Sequence, residues 1–326
     1  MPVMTAVRFN CVQPGVEPNA MAARYQAFVE MARYCEEHGV PMITLEEHHG
    51  ADDGWSPSPL VMAGMVFGAT KTVGVSLFAL LLPLHDPLRV AEDMAVLDLA
   101  SGGRLTTVFG LGYRPEEYAA HGKDWKSRGK IMDECVDTVL KAWTGEPFEY
   151  RGTTVRVTPK PFTQPHPFVM IGGTSKVAVR RAARFGLPFF PAENLPELES
   201  YYYEQCKEFG TNGFCMMPAP GTAMVHVAED PDKAWSDLGA HFLHEATTYH
   251  SWQTPDIKSS VHSHASTPEE LRAEGIYQVL TPDEALERAT ADGALNLHPL
   301  VGGMPLDAGW ESLRLYCEQV LPKVPA

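Results

Sequence analysis

Apolar runs and stretches with helical periodicity alternate along the whole chain. The apolar runs predict eight strands, at residues 6–12, 41–46, 73–82, 104–112, 168–173, 187–192, 222–228 and 293–300. Between most of them, apolar residues recur at helical spacing, and prolines and glycines mark several helix starts and ends. Eight strand–helix units in 326 residues predict an α/β fold of the (β/α)8 TIM-barrel type. A doubly wound sheet with a cap domain is the alternative.

Two segments interrupt this alternation. Residues 145–166 contain a short β-hairpin pattern with Arg151-Gly152 near its turn, followed by a proline-rich link. Residues 251–280 are rich in Ser, His and Thr and predict an irregular loop. The expected organisation is therefore a single barrel domain over residues 1–326 that carries both insertions.

Composition narrows the classes of partner and compartment. The chain is 44% apolar and has a formal net charge of −15, which disfavours nucleic acid and anionic membrane as partners. No apolar run approaches the roughly 20 residues of a membrane span, and the N-terminus does not read as a signal peptide. The six cysteines form no C-x-x-C pair, and Cys35, Cys135, Cys206 and Cys317 fall on apolar helix stripes. Reduced cysteines in a cytoplasmic protein are expected.

Candidate chemistry is expected at the carboxyl ends of the strands, where barrel enzymes place their active groups. The second strand ends in Glu46, Glu47, His48 and His49. Adjacent strand residues point in opposite directions, so both histidines cannot face one metal ion. His262-Ser-His264 has a suitable spacing but follows no predicted strand, and no H-E-x-x-H occurs. We therefore predict no metal site; taken alone, the segment is equally compatible with a polar strand end.

A glycine-rich strand end carries more information. The stretch "MIGGTSKVAVRRAARFG" passes from a strand through Gly172 and Gly173 into Thr174, Ser175 and a helix. A helix start attracts anions through its free N–H groups and its dipole. This stretch therefore resembles a phosphate site, and an ordinary Ser/Thr helix cap is the alternative. No G-x-G-x-x-G follows the first strand, which argues against a dinucleotide fold.

Several stretches together resemble the bacterial luciferase-like family of flavin-dependent monooxygenases and deazaflavin-dependent oxidoreductases. They are "LEEHHG" (45–50), the block 68–122, "PHPFVMIGGTS" (165–175) and "AARFGLP" (182–188). The block 68–122 is the most specific, because it contains R-x-x-E-D, L-D-x-x-S-x-G-R and G-x-G-Y in family order. The similarity is strong over about the first 190 residues and weaker afterwards.

The resemblance implies a (β/α)8 barrel, often a homodimer, that uses reduced FMN and O2 on an organic substrate. His48 matches the family's catalytic histidine, with Glu46 or Glu47 as candidates to orient it. The Phe78–Ala79 peptide matches a bulge behind the flavin ring that is often cis. Thr174 and Ser175 match the phosphate-binding strand end. With Gly173 and the strand-end residues Asn10 and Gly110, they complete the predicted cofactor site.

One position departs from the pattern of the luciferases. Leu111 stands where they carry an arginine that contacts the flavin phosphate, so the deazaflavin coenzyme and its hydride chemistry are the alternative to FMN. The net charge of −15 disfavours that coenzyme's acidic tail. Two further alternatives are a metal-dependent hydrolase on the same barrel and a non-enzymatic flavin-binding relative.

The sequence also indicates a lining for the substrate pocket and a separate partner protein. Trp55, Tyr113, Trp252 and His298 are the expected lining of a pocket for a hydrophobic organic molecule, with core packing as the alternative for the aromatic residues. No nicotinamide-binding motif is visible. We therefore expect a separate reductase to supply the reduced flavin.

Overall fold

The structure is a computed structural model that describes residues 3–218, 224–253, 261 and 263–325. Strands and helices alternate along it. The strands are β1 (Met4–Phe9), β2 (Met42–Leu45), β3 (Gly74–Leu80), β4 (Leu105–Phe109), β5 (Phe148–Tyr150), β6 (Thr153–Val155), β7 (Phe168–Gly172), β8 (Phe189–Phe190), β9 (Met224–Val227), β10 (Tyr277–Leu280) and β11 (Ala294–Leu297). The helices are α1 (Pro18–Glu37), α2 (Pro59–Ala69), α3 (Pro87–Ser101), α4 (Pro115–Ala120), α5 (Arg128–Trp143), α6 (Lys176–Phe185), α7 (Pro196–Phe209), α8 (Pro231–Trp252), α9 (Pro268–Glu274), α10 (Pro282–Asp292) and α11 (Leu306–Leu315).

Local sequence signals explain where the helices begin and end. Helix α3 begins with Pro87 in its first turn, and the side chain of Asp86 accepts hydrogen bonds from Leu88 N and Arg89 N at 3.0 and 3.2 Å. It ends at Gly102, whose φ of +67° is a left-handed conformation that glycine adopts without steric cost. The predicted start and end of this helix are therefore confirmed.

The chain divides into two compact units. The first comprises Met1–Pro57, Ala69–Val73 and Pro218–Ala326. Its strands are parallel and lie in the order β10-β9-β11-β1-β2. Because the carboxyl ends of neighbouring parallel strands lie at one edge of a sheet, residues that follow β1, β2 and β11 approach one another.

The second unit comprises Ser58–Gly68 and Gly74–Met217. Its parallel strands lie in the order β3-β4-β7-β8, and β5 and β6 pair antiparallel as the hairpin that the sequence indicates. Helices α3 and α5 pack together, and buried Trp143 donates its Nε1–H to Ala91 O at 3.0 Å. The register of β3 against β4 shifts between Phe78 and Leu80, which is the predicted bulge.

Residues 251–280 were predicted to form an irregular loop, but they contain helix α9 and strand β10. Helix α9 begins at a Thr267 cap whose hydroxyl accepts from Glu270 N at 3.2 Å, and it ends at Gly275. Strand β10 then pairs with β9. The strand has only four residues, too few for its alternation to stand out from the polar sequence around it. His262 and residues 254–260 lie outside the described residues.

The predicted burial of the helix-stripe cysteines is confirmed, since Cys35, Cys135, Cys206 and Cys317 are all buried and free. Within the described ranges, no helix is long and apolar enough to cross a membrane.

The turn after β11 passes close to helix α8 at Gly302. Its φ is +56°, and a Cβ built there would lie 1.8 Å from the backbone oxygen of His241. We expect Gly302→Ala to lower the free energy of unfolding by about 2–4 kcal/mol, since left-handed backbone and overpacking both cost energy. Gly293→Ala is the matched control, because Gly293 has a φ of +68° but open space around it, and should cost about 1 kcal/mol. Equal losses in urea denaturation would contradict the steric argument.

Candidate active site

A buried network of charged and polar side chains lies at the carboxyl ends of β1, β2 and β11 in the first unit. Its centre is Glu245 on helix α8, which is fully buried. Glu245 Oε1 accepts from Arg8 Nη1 at 2.7 Å and Tyr277 Oη at 3.1 Å. Glu245 Oε2 accepts from Asn10 Nδ2 at 2.7 Å and contacts His298 Nε2 at 3.0 Å. Such complete pairing is what allows a carboxylate to stay in a protein interior.

The pKa of Glu245 reflects competition between burial and its partners. Burial is the largest influence and raises the pKa, whereas Arg8 and then His298 lower it by charge and hydrogen bonding. The net result holds the pKa of the Glu245 carboxyl well below its ordinary value. The side chain is therefore ionised at neutral pH and serves only as a hydrogen-bond acceptor.

Arg8 connects Glu245 to the carboxylate of Glu46. Its Nε donates to Glu46 Oε1, and its Nη2 donates to Tyr249 Oη at 3.3 Å. Tyr249 in turn donates its hydroxyl to Glu46 Oε2. Burial lowers the pKa of Arg8, but Glu245 and then Glu46 outweigh it, and the pKa is raised overall. The guanidinium therefore remains charged between two carboxylates.

His48 follows β2 and is buried against aromatic rings. The centroid of its ring lies 5.3 Å from that of Trp55, 5.7 Å from that of Tyr249 and 4.6 Å from that of Trp252. Its backbone N–H donates to Ser56 O at 3.1 Å, which anchors the segment. Rings on several sides restrict rotation of the imidazole. The structure thus brings together His48, Trp55 and Trp252, which the sequence analysis proposed separately.

The two carboxylates beside His48 are engaged with other groups. Glu46 accepts from Arg8 and Tyr249, and Glu47 Oε1 lies 2.9 Å from His49 Nε2. Orientation of His48 by one of these carboxylates stays a prediction. Tyr249, whose hydroxyl donates to Glu46 and whose ring packs on His48, links Glu46 to the imidazole. His49 contacts Glu47, and its pointing away from His48 stays a prediction.

Other residues nominated from the sequence have well-defined positions in the first unit. Asn10 is buried, and its amide bridges Glu245 and the backbone N–H of Val12, the latter at 3.2 Å. His298 is buried beside Glu245, with its Nε2 3.0 Å from Glu245 Oε2. Trp55 is buried, and its Nε1–H has no hydrogen-bond partner among the described residues. Trp252 is only partly buried.

The second unit carries the strand ends after β3 and β4. The Phe78–Ala79 peptide is cis, as the family resemblance implies. Gly110 lies beside it, and a Cβ at Gly110 would stand 2.8 Å from Ala79 Cβ. Glycine is therefore required for the backbone to approach the bulge. Tyr113 follows in the same unit and is half-buried.

The Gly-Gly-Thr-Ser segment follows β7 and starts helix α6. Gly173 has a φ of +143°, and a Cβ there would lie 2.8 Å from Ala178 Cβ. Ser175 is exposed and is the N-cap, with Oγ accepting from Ala178 N at 3.2 Å. Thr174 is partly exposed. The other first-turn N–H groups of a helix have no intrahelical acceptor and are available to an anion.

The basic residues of α6 contribute less positive charge than their number indicates. Arg181 Nε lies 2.5 Å from Asp133 Oδ1, and Arg184 reaches the same oxygen at 3.0 Å. Arg180 lies 3.7 Å from Glu208. Attraction for an anion at this helix start therefore depends mainly on the backbone, the hydroxyls and Lys176, the first residue of the helix.

Arg8, Glu245, Tyr249 and Tyr277 were not nominated from the sequence. Arg8 looks like one polar residue within a strand, and two of its partners, Glu245 and Tyr249, lie more than 200 positions away along the chain. Glu245 offered a signal, because it lies on the apolar stripe of α8 with Leu238, Phe242 and Tyr249. A lone carboxylate on a buried helix face requires a buried cationic partner.

Comparison with other proteins places this chain in a family. A profile described as luciferase-like monooxygenase matches residues 4–296. The chain belongs to this family of enzymes, and the resemblance found in the sequence motifs is confirmed. The alkanal monooxygenase beta chain of Vibrio harveyi is 27% identical over 169 residues, which are 50% of this chain and 52% of that one. The chain spans about half the length of the curated relatives it matches.

Solved structures show the same fold. Monooxygenase RslO1 from Streptomyces bottropensis has a TM-score of 0.73 and 22% identity, covering 98% of both chains. The oxygenating constituent of 3,6-diketocamphane monooxygenase from Pseudomonas putida, in complex with FMN, has a TM-score of 0.70 and 17% identity, covering 100% of this chain and 99% of that one. An F420-dependent secondary alcohol dehydrogenase has a TM-score of 0.65 and 16% identity, covering 100% of each. These likenesses confirm the predicted fold class, an α/β barrel of the (β/α)8 type.

Proposed function

We propose that this protein is a flavin-dependent monooxygenase that uses reduced FMN and O2 to oxidise a hydrophobic organic molecule. The observation that carries the proposal is the family match across residues 4–296. The choice of FMN is supported by the diketocamphane enzyme, whose structure contains it. The chain's net charge of −15 further favours FMN over a coenzyme with an acidic tail.

The described residues fit an FMN molecule in two places. A phosphate suits the start of α6, where Gly173, Thr174 and Ser175 offer backbone N–H groups and hydroxyls. The bulge at Phe78 and Ala79 offers a flat apolar support for an aromatic ring system. When bound, reduced FMN would supply the electrons that activate O2.

His48 is the residue we propose for proton transfer. A histidine side chain can both donate and accept a proton. The rings of Trp55, Tyr249 and Trp252 hold the imidazole in one orientation and exclude bulk water from it. Burial of this kind favours proton exchange with a bound reactant over exchange with solvent.

Titration of the purified protein with FMN and, separately, with the deazaflavin coenzyme tests the cofactor. We expect the absorption spectrum of FMN to change on binding and that of the deazaflavin to change only at much higher concentration. The likeness to an F420-dependent dehydrogenase makes deazaflavin-dependent hydride transfer the second candidate. Tighter binding of deazaflavin would replace the proposal, and binding of neither would remove it.

The phosphate position has its own test. The double change Thr174→Ala, Ser175→Ala should raise the FMN dissociation constant at least about tenfold, since each hydrogen bond to a charged group is worth about 1.5–3 kcal/mol. Because Ser175 also caps α6, a control must remove a cap elsewhere. Thr281→Ala does so, since Thr281 caps α10 through Glu284 N at 3.3 Å. FMN fluorescence quenching measures both constants. An unchanged constant in the double variant would refute the assignment.

We further propose that a separate reductase supplies the reduced flavin, because the sequence contains no nicotinamide-binding motif. The protein alone should therefore not oxidise NADH or NADPH in the presence of FMN, whereas adding a flavin reductase should start turnover. Oxidation of NADH by the purified protein alone would contradict this proposal.

We also propose that the protein is a homodimer. Helix α2 exposes Val61 (65%), and helix α3 exposes Val96 (52%) and Leu99 (43%). Apolar surface of this kind marks interaction sites. The double change Val61→Glu, Val96→Glu should convert a dimer into a monomer in analytical ultracentrifugation. Val177→Glu is the control, because Val177 is equally exposed on α6. A monomeric parent protein would contradict the proposal.

A further inference from the structure

His298 and Glu245 form a buried pair that the role proposed for His48 does not use. His298 lies just beyond the carboxyl end of β11, and its Nε2 is 3.0 Å from Glu245 Oε2. Because the ionised carboxylate only accepts hydrogen bonds, Nε2 of His298 must carry the hydrogen. A buried carboxylate thereby selects one tautomer of a histidine, as in carboxylate–histidine pairs that perform acid–base chemistry.

The other nitrogen of His298 is left without a hydrogen-bond partner. Its Nδ1 is buried, and among the described residues nothing donates to it or accepts from it. In the neutral Nε2–H tautomer this nitrogen carries a lone pair and can accept a proton. Buried polar atoms are rarely left unpaired in proteins, and a catalytic role is one established reason.

The surrounding charges favour a proton at this position. Arg8 contributes one positive charge, whereas Glu46 and Glu245 contribute two negative charges. A proton on His298 would balance them. Unbalanced charge is costly in a protein interior, so the excess negative charge of the carboxylates would stabilise a proton on His298.

The neighbouring titratable groups do not compete for that proton. Burial, and then the proximity of His298, lower the pKa of His226 to about 4, so His226 is neutral at physiological pH. Burial and then Glu245 raise the pKa of Tyr277 well above its ordinary value, so its hydroxyl remains protonated. On α8, His241 places its Nδ1 3.0 Å from Gly302 O. Within this set, His298 Nδ1 is therefore the buried nitrogen with a free lone pair beside the ionised Glu245 carboxylate.

We propose that Glu245 and His298 are a second acid–base pair of the active site, separate from His48. In the proposed step, an O–H or acidified C–H bond of the bound organic molecule breaks and leaves its electron pair there. The proton forms an N–H bond at His298 Nδ1, and Glu245 balances the resulting imidazolium. The reaction in which the pair takes part rests on the proposed function. The protonation of the two His298 ring nitrogens does not.

The state of the pair is tested without turnover. Nitrogen NMR of protein labelled at its histidines, with His298→Gln to assign the signals, reports which ring nitrogen carries the hydrogen. We expect Nε2 to stay protonated while Nδ1 titrates. In Glu245→Gln, loss of the negative charge should move that titration at least about one pH unit lower. A neutral form with hydrogen on Nδ1 would overturn the proposal even if the Glu245 variant does not fold.

The catalytic part is tested by the pH dependence of turnover. With a flavin reductase, and with an alkanal and a bicyclic ketone as probes, His298→Gln should lose at least about 10²-fold in turnover and one limb of the pH profile. His226→Gln is the control, because it alters a buried histidine on the neighbouring strand, and should retain that limb. If the pH profile of His298→Gln keeps the same limb as the parent protein, the proposal is wrong. A parent protein that binds no flavin would instead refute the proposed function, and the NMR result would still decide the pair.

Discussion

Replacing His48 by alanine is expected to lower turnover about 10²–10⁴-fold, the usual contribution of general acid–base catalysis. Flavin binding should remain nearly normal, because the predicted phosphate contacts are at Gly173, Thr174 and Ser175. The variant loses the imidazole that Trp55, Tyr249 and Trp252 surround. Steady-state turnover with a flavin reductase, combined with FMN fluorescence titration, separates the two effects.

His49→Ala is the matched control for this change. His49 is the adjacent residue, and its ring contacts Glu47 at 2.9 Å. Its removal should cost less than about tenfold in turnover, since it removes a contact with Glu47 rather than the proposed acid–base group. If both variants lose activity equally, or if His48→Ala remains fully active, His48 is not the proton-transfer residue.

The fold was predictable because its signals are local. Several helix starts are marked by a few neighbouring residues, as with Asp86 and Pro87. Strand β3 lies in a nearly continuous apolar run, as is typical of a parallel strand that is buried on both faces. Strand β10 lacked such a run, and its neighbours were polar, so the sequence assigned it to a loop.

The site was only partly predictable because its contacts are distant in sequence. The motif ending β2 identified His48, but it could not show that Glu46 binds Arg8. That pairing depends on neighbouring strands, and the second partner of Arg8, Glu245, lies on a helix near the other end of the chain. The cis peptide at Phe78–Ala79 was accessible only through the family resemblance, because no proline marks it.

Replacing Arg8 by methionine is expected to cause the largest loss of stability, about 3–5 kcal/mol, since it leaves buried carboxylates without their cation. In the parent protein, Arg8 donates to Glu46, to Glu245 at 2.7 Å and to Tyr249 at 3.3 Å. Methionine has similar volume and fills the space, so the loss reports charge rather than a cavity. Urea denaturation at pH 7 measures it. Arg89→Met is the control, because Arg89 is 71% exposed in its pairs with Glu92 and Asp93 and should cost at most about 1 kcal/mol.

The loss of unfolding free energy caused by Arg8→Met should also depend on pH. The direction of that dependence shows whether charge or packing is the cause. In the parent, the pKa of Glu245 is held below its ordinary value of 4.5, so its contribution to stability is present above that pH and is lost as the pH falls further. Without Arg8, the raising effect of burial prevails, and protonation at mildly acidic pH relieves the unpaired charge. The difference in unfolding free energy between parent and variant should therefore shrink as the pH is lowered from 7 towards 5. A difference that stays constant over this range would mean that Arg8 stabilises the protein by packing, and that the buried carboxylates do not depend on its charge.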